Sequence, residues 1–121
     1  MGARILIVDD EEIVIKSCLR ILGGGDYYVE VAHDGREALR KIEENPYDVI
    51  ILDIMMPNMD GLEVLRRVKE THPDVDVIMM TGLSQVETVV QARKFGACDF
   101  ISKPFEPDEL KLVVQRALER R

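Results

Sequence analysis

Five residues of this sequence have the types that phosphorus chemistry uses: Asp9, Asp10, Asp53, Thr81 and Lys103. Three carboxylates gathered in one place repel one another and raise each other's pKa unless a cation lies between them. Oxygen-only ligation from few protein groups suits Mg²⁺, which keeps waters and bridges to phosphate oxygens. A carboxylate can also attack phosphorus, giving an aspartyl phosphate. That transfer needs mainly positioning and charge neutralisation, here from a metal, a lysine and a hydroxyl donor. Singly, each residue has a plainer reading. Aspartate after a strand starts a turn or caps a helix, Thr81 is an ordinary strand residue, and Lys103 is a solvated charge. Asp53 is the hardest to explain away, because it ends the apolar run Val49-Ile50-Ile51-Leu52 and is followed by Ile54-Met55-Met56.

These residues matter together because of the elements that must carry them. Apolar runs at Arg4–Val8, Tyr27–Ala32, Asp48–Asp53, Asp76–Thr81 and Asp99–Ser102 predict strands. Most are apolar nearly throughout, as strands buried on both faces are; Tyr27–Ala32 alternates more and reads as an edge. Helical patterns fall between and after them. Ile15, Cys18, Leu19 and Leu22 share one stripe of a helix over Glu12–Leu22, and Leu110, Val113, Val114, Ala117 and Leu118 do so over Pro107–Arg121. Asp34…Glu37, Asp60…Glu63 and Ser84…Glu87 read as helix starts, with a capping residue three before a glutamate. Pro107 fits a first helical position. Five βα units in a row give a parallel sheet with helices on both faces. In such a sheet ligands bind beyond the carboxyl ends of the strands, where Asp9, Asp10, Asp53, Thr81 and Lys103 all fall. Gly23-Gly24-Gly25 precedes a strand, whereas a phosphate loop follows one, so it reads as a helix stop and turn.

Composition narrows the function classes. The 121 residues make one domain, and at 46 % hydrophobic content they can bury a core. With 16 basic and 23 acidic residues the net charge is −7, which argues against direct nucleic-acid binding by this domain. No apolar run approaches the ~18 residues of a membrane span, and no signal-peptide pattern opens the chain. Met1-Gly2 is followed by Leu6 where a myristoylation motif wants Ser or Thr. Cys18 and Cys98 lack partners at metal spacing and read as small hydrophobes in a reducing compartment, with His33 and His72 isolated from both.

The chain strongly resembles the receiver domain of two-component response regulators, from Ile5 to about Leu118. The signatures are Val8-Asp9-Asp10-Glu11, the run Leu52-Asp53-Ile54-Met55-Met56-Pro57-Asn58-Met59-Asp60-Gly61, Met80-Thr81-Gly82, and Lys103-Pro104-Phe105. Each is weak alone; in order on the βα pattern they are specific. The resemblance implies a doubly wound, flavodoxin-like sheet with strand order 2-1-3-4-5 over residues 1–121. It implies that Asp53 accepts a phosphoryl group from the phosphohistidine of a sensor histidine kinase or a histidine phosphotransfer protein. Mg²⁺, or Mn²⁺ in its place, would be held directly by Asp10, Asp53 and the backbone carbonyl of Met55, and by Asp9 mainly through water. Thr81 and Lys103 would bind the phosphoryl group. The Lys103–Pro104 peptide would be cis, and Phe100 would be the switch aromatic working with Thr81. The fourth helix, fifth strand and fifth helix would form the face that controls an output domain, a downstream protein or self-association. Such a domain is a cytoplasmic signalling phosphoacceptor rather than an enzyme, although it assists its own phosphorylation and dephosphorylation. Two departures stand out. Phe100 carries no hydroxyl where tyrosine is common, and the pocket-lining positions Met55 and Leu83 are apolar. The closing run Arg116-Ala117-Leu118-Glu119-Arg120-Arg121 reads as a helix leaving the domain, which favours a segment of a longer regulator over a stand-alone receiver.

Three other readings compete. A nucleotide or flavin binder needs a glycine- or hydroxyl-rich loop after the first strand, where this chain has Asp9-Asp10-Glu11-Glu12. A phosphohydrolase with an aspartate nucleophile resembles a pattern with a second aspartate two residues on, where Met55 stands. A plain interaction module has no reason to place three carboxylates and a lysine on one rim.

Overall fold

The computed structural model describes residues 2–57, 59–82 and 86–120. Strands and helices alternate: β1 Arg4–Val8, α1 Glu12–Leu22, β2 Tyr28–Ala32, α2 Gly35–Glu44, β3 Val49–Asp53, α3 Gly61–Thr71, β4 Asp76–Thr81, α4 Val86–Lys94, β5 Asp99–Ser102 and α5 Pro107–Glu119. The five strands are parallel in the order β2-β1-β3-β4-β5.

The uniformly apolar strands are the central ones. Residues 5–8 of β1, all of β3 and residues 77–81 of β4 are buried, because helices cover both faces of the sheet. Alternate residues feed two apolar layers. Leu6, Val8, Ile50, Leu52, Val77 and Met79 pack with α2, α3 and α4 through Ala38, Ile42, Val64, Leu65, Val68 and Ala92. Ile5, Ile7, Val49, Ile51, Ile78 and Met80 pack with α1 and α5 through Cys18, Leu22, Leu110, Val113, Val114 and Ala117. Fully burying one such side chain stabilises the fold by about 1.5–3 kcal/mol. The alternating strand, β2, is an edge, as its pattern predicts.

Element starts follow local polar chemistry. The Asp34 carboxylate accepts the Glu37 N–H at 2.8 Å, and Asp60 accepts the Glu63 N–H at 3.0 Å, each filling one of the donors a helix start leaves open. The third expected cap, Ser84, lies outside the described residues. At the start of α5 the Glu109 carboxylate accepts the Glu106 N–H at 2.8 Å. Gly23 ends α1 by donating its N–H to the Leu19 carbonyl at 2.7 Å, and Gly24 takes a positive φ of 77°, so the glycine run is a turn. Small shifts from the sequence reading occur at three ends. β2 and β3 begin one residue later, at Tyr28 and Val49, because the paired registers open at Arg4↔Tyr28 and Ile5↔Val49. Helix α5 stops at Glu119, where the Arg120 guanidinium reaches the Cys98 carbonyl (3.1 Å) and Asp99 (3.6 Å). Both cysteines are free thiols, with Cys18 buried beneath α1.

The sheet order reverses direction between β1 and β3, and the chain there leaves a crevice at the carboxyl ends of those strands. Val8 pairs with Leu52, so the residues that follow, Asp9 and Asp53, come side by side. Gly61 closes the crevice from one side. Its N–H donates to the Ile54 carbonyl at 2.8 Å, and a Cβ there would sit 2.2 Å from the Asp53 carbonyl oxygen and 2.7 Å from Ile54 Cα. Its φ is not positive, so the demand is for space alone. Backbone cannot yield as a flexible side chain can, so Gly61→Ala is expected to destabilise the fold by about 2–3 kcal/mol. Urea unfolding checks this; a loss under about 0.5 kcal/mol would mean that α3 slides away freely.

Candidate functional site

The carboxyl end of β1 leads straight into two aspartates and a glutamate. Asp9 is fully buried; its N–H donates to the Ala32 carbonyl at 3.1 Å, and its Oδ1 accepts the Glu11 N–H at 2.9 Å. These two bonds lock the turn from β1 into α1. Asp10 is exposed and Glu11 is 57 % exposed at its side chain. Asp53, the last residue of β3, is buried, and its Oδ1 accepts the Met55 N–H at 3.2 Å. Thr81 is buried at the end of β4. Its carbonyl accepts the Lys103 N–H at 2.8 Å, which extends the β4–β5 ladder by one bond and brings Lys103 to the rim. The Lys103–Pro104 peptide bond is cis.

The Lys103 ammonium is the hub. Its Nζ lies 2.8 Å from Asp9 Oδ2, 3.0 Å from Asp53 Oδ2 and 3.0 Å from Glu11 Oε1. It donates hydrogen bonds to Glu11 and Asp53, while Asp9 Oδ2, buried and without a hydrogen-bond partner among the described residues, meets it as a close ion pair. Asp9, Asp10, Glu11 and Asp53 each offer an oxygen within 4.8 Å of the others'. Four ionised carboxylates against one ammonium leave three negative charges uncompensated. Burial pushes the Asp53 carboxyl up to about 6, with the Asp9 charge adding to the rise and the hydrogen bond from Lys103 opposing it. Burial alone would lower the Lys103 pKa, yet its contacts with the Asp9, Asp53 and Glu11 carboxylates outweigh burial and raise it. At neutral pH the site is therefore an anionic, oxygen-lined crevice with, among the described residues, one fixed cation, and its residues could hold a divalent cation.

Of the residues expected at the site, Asp9, Asp10, Asp53 and Lys103 are brought into one cluster, and Thr81 is tied to it through the backbone of Lys103. Met55 contributes its N–H, while its side chain is 65 % exposed. Leu83 lies outside the described residues. Phe100 is half-buried against the α2–α4 layer, and the Arg93 guanidinium carbon sits 4.9 Å from its ring centroid. Two contributions were not anticipated. Glu11 joins the Lys103 contacts; the only trace of this in the sequence is that it is third in an acidic run. Gly61 owes its role to a backbone approach that has no sequence signal beyond being glycine after a cap. His33 stands apart from the acidic cluster, with its ring 2.9 Å from Glu12 Oε1 and its N–H donating to Glu37 at 2.7 Å.

Known proteins resemble this chain in sequence and in fold. The family model described as the response regulator receiver domain matches residues 5–115. The response regulator MprA of Mycobacterium tuberculosis (strain ATCC 25618 / H37Rv) is 44% identical over 121 residues, covering 100% of this chain and 52% of that protein. The chain thus spans about half the length of the curated relatives it matches. The crystal structure of the receiver domain of NtrX from Brucella abortus superposes with a TM-score of 0.92 at 39% identity, covering 97% of this chain and 99% of that one. A CheY-like response regulator receiver domain protein from Methanospirillum hungatei JF-1 gives a TM-score of 0.94 at 34% identity, over 99% of this chain and 96% of that one. Among the described residues no helix is long and apolar enough to cross a membrane.

Proposed function

Because this chain belongs to the response regulator receiver domain family, we propose that it is a phosphoacceptor that takes a phosphoryl group on Asp53 from a phosphohistidine. The observation that carries the reading is the setting of Asp53. Of its two carboxylate oxygens, Oδ1 is held by the Met55 N–H and Oδ2 by Lys103, within a cluster of further carboxylates at a sheet switch point. The donor would be a sensor histidine kinase or a histidine phosphotransfer protein. An Asp53 oxygen forms the new bond to phosphorus as the P–N bond breaks, and the imidazole nitrogen keeps the electron pair. Lys103 then holds charge on the phosphoryl oxygens, and the Thr81 hydroxyl donates to one of them.

The donor set is all oxygen and mostly carboxylate, which fits Mg²⁺, with Mn²⁺ as a substitute. Asp10, Asp53 and the Met55 carbonyl would hold the ion directly and Asp9 mainly through water. When bound, the ion offsets the carboxylate charge and that of the incoming phosphoryl group. Asp9 is already committed to Lys103 and to the Glu11 N–H, so its part is to fix the turn. Among the described residues Asp10 has no such commitment, and it is exposed to solvent.

As a signalling domain it would act through two states biased by phosphorylation. Thr81 and Phe100 would couple the site to the α4–β5–α5 face, which would control an output domain, a downstream protein or self-association, in the cytoplasm. The test is incubation with Mg²⁺ and acetyl phosphate. One phosphoryl group should appear by intact mass, with amide shifts spreading into α4, β5 and α5. No added mass, or shifts confined to the acidic pocket, would contradict the reading.

The apolar, exposed Met55 bears on the lifetime of the phosphorylated state. Hydrolysis needs a water in line with phosphorus, and a thioether orients water poorly. Met55→Asn is expected to shorten the phosphorylated lifetime by roughly 3–10-fold. Decay of the added mass after donor removal measures this, and an unchanged rate would mean that the side chain only packs.

A further inference from the structure

Lys103 has three carboxylate partners that are not equivalent. Asp9 is buried and also holds the Glu11 N–H, and Asp53 is buried and is the proposed acceptor itself. Glu11 is different. Its backbone is pinned by Asp9, but its side chain is 57 % exposed, and among the described residues its carboxylate bonds to Lys103 alone, at 3.0 Å. The neighbouring Glu12 faces away, with its Oε1 2.9 Å from the His33 ring. An incoming phosphoryl oxygen must approach an ammonium that already has three carboxylate oxygens within 3.0 Å, two of them, from Glu11 and Asp53, accepting its hydrogen bonds. Neither buried carboxylate can swing out without losing other bonds, whereas Glu11 can rotate into water.

We propose that Glu11 is a positioning and specificity residue: a displaceable third ligand of Lys103 that holds the phosphoryl-oxygen position and sets which phosphodonor charge the site accepts. The inference rests on the phosphoacceptor reading. In that transfer an Asp53 oxygen bonds to phosphorus as the donor's P–O or P–N bond breaks, and the leaving group keeps the electron pair. A donor that approaches must push the Glu11 carboxylate off Lys103 and pass close to it. Repulsion at that moment grows with the donor's negative charge and is partly screened by salt. Acetyl phosphate is a dianion at neutral pH, and phosphoramidate carries about one negative charge fewer.

The experiment compares wild type with Glu11→Gln, which keeps size and loses charge. Phosphorylation rates are measured with acetyl phosphate and with phosphoramidate, in Mg²⁺, at low and high salt. The acetyl phosphate rate should rise about 3–10-fold in the variant and the phosphoramidate rate clearly less, with the difference shrinking in high salt. A second readout uses no metal and no donor: the Lys103 side-chain NMR resonances of the metal-free protein should shift in Glu11→Gln. Equal acceleration of both donors, a slower variant, or unmoved Lys103 resonances would each overturn the proposal while the phosphoacceptor reading stands. An unlabelled wild type would instead overturn that reading, and this inference with it.

Discussion

Asp53→Asn is expected to abolish phosphoryl labelling and, at the same time, to stabilise the protein. The first effect follows from chemistry: an amide in place of the carboxylate offers no anionic oxygen to phosphorus. Labelling by acetyl phosphate or by a cognate kinase should fall from one group per chain to none by intact mass. Full labelling of the variant would place the acceptor elsewhere. The second effect follows from burial, which, with Asp9 beside it, pushes the Asp53 carboxyl up to about 6 despite Lys103. A pKa raised above the unfolded value of about 3.9 means that the folded state binds this proton more tightly. The stability it contributes is present below about pH 4 and is lost as pH rises through about 6. At pH 8 the wild type therefore carries an ionised, poorly solvated carboxylate that the neutral asparagine removes. The variant should be more stable by about 1–3 kcal/mol at pH 8, with the gain closing toward pH 4. Unfolding at the two pH values measures it, and a less stable variant at pH 8 would show that the Lys103–Asp53 contact outweighs the burial.

Removing divalent cation with EDTA should slow phosphorylation by about 100-fold or more, because three uncompensated negative charges then face an anionic donor. The same ion should stabilise the folded protein, by about 2.7 kcal/mol at 100 times its dissociation constant. The sign of the pH dependence follows from Asp53. Below about pH 6 its proton competes with the ion, so apparent affinity should fall as pH falls through that value. Asp10 and Asp9 should separate cleanly. Asp10→Ala removes an exposed carboxylate and should weaken metal binding with little effect on unfolding. Asp9→Ala removes a partner of Lys103 and the acceptor of the Glu11 N–H, and should destabilise the fold as well. Mg²⁺ titrations followed by thermal unfolding read both quantities. A phosphorylation rate indifferent to EDTA would remove the ion from the mechanism.

Much of this molecule is legible along the chain because the relevant physics is local. Val49-Ile50-Ile51-Leu52 must be a strand buried on both faces, since nothing in it tolerates water. Asp34 and Asp60 announce helix starts because a short carboxylate can reach a free N–H three residues on. Five such units in series leave little choice of architecture, and the residues after each apolar run must then share one rim. That reasoning puts Asp9, Asp10, Asp53, Thr81 and Lys103 on the same edge, but it treats the carboxylates as alike. Tertiary structure makes them different. The β1–β3 register sets Asp9 beside Asp53 and buries both, while Asp10, one residue along, faces solvent. Which carboxylates Lys103 holds depends on a contact spanning 92 residues to Glu11 and one spanning 50 to Asp53. The Arg93–Phe100 stacking and the approach of Gly61 to the Asp53 backbone are likewise contacts between elements, set by how helices settle on the sheet. Residue type and spacing along the chain decide what each group can do. Only packing in three dimensions decides which charges are dried, which are neutralised and which are left free, because solvation and Coulomb energy depend on distances that the linear order does not contain.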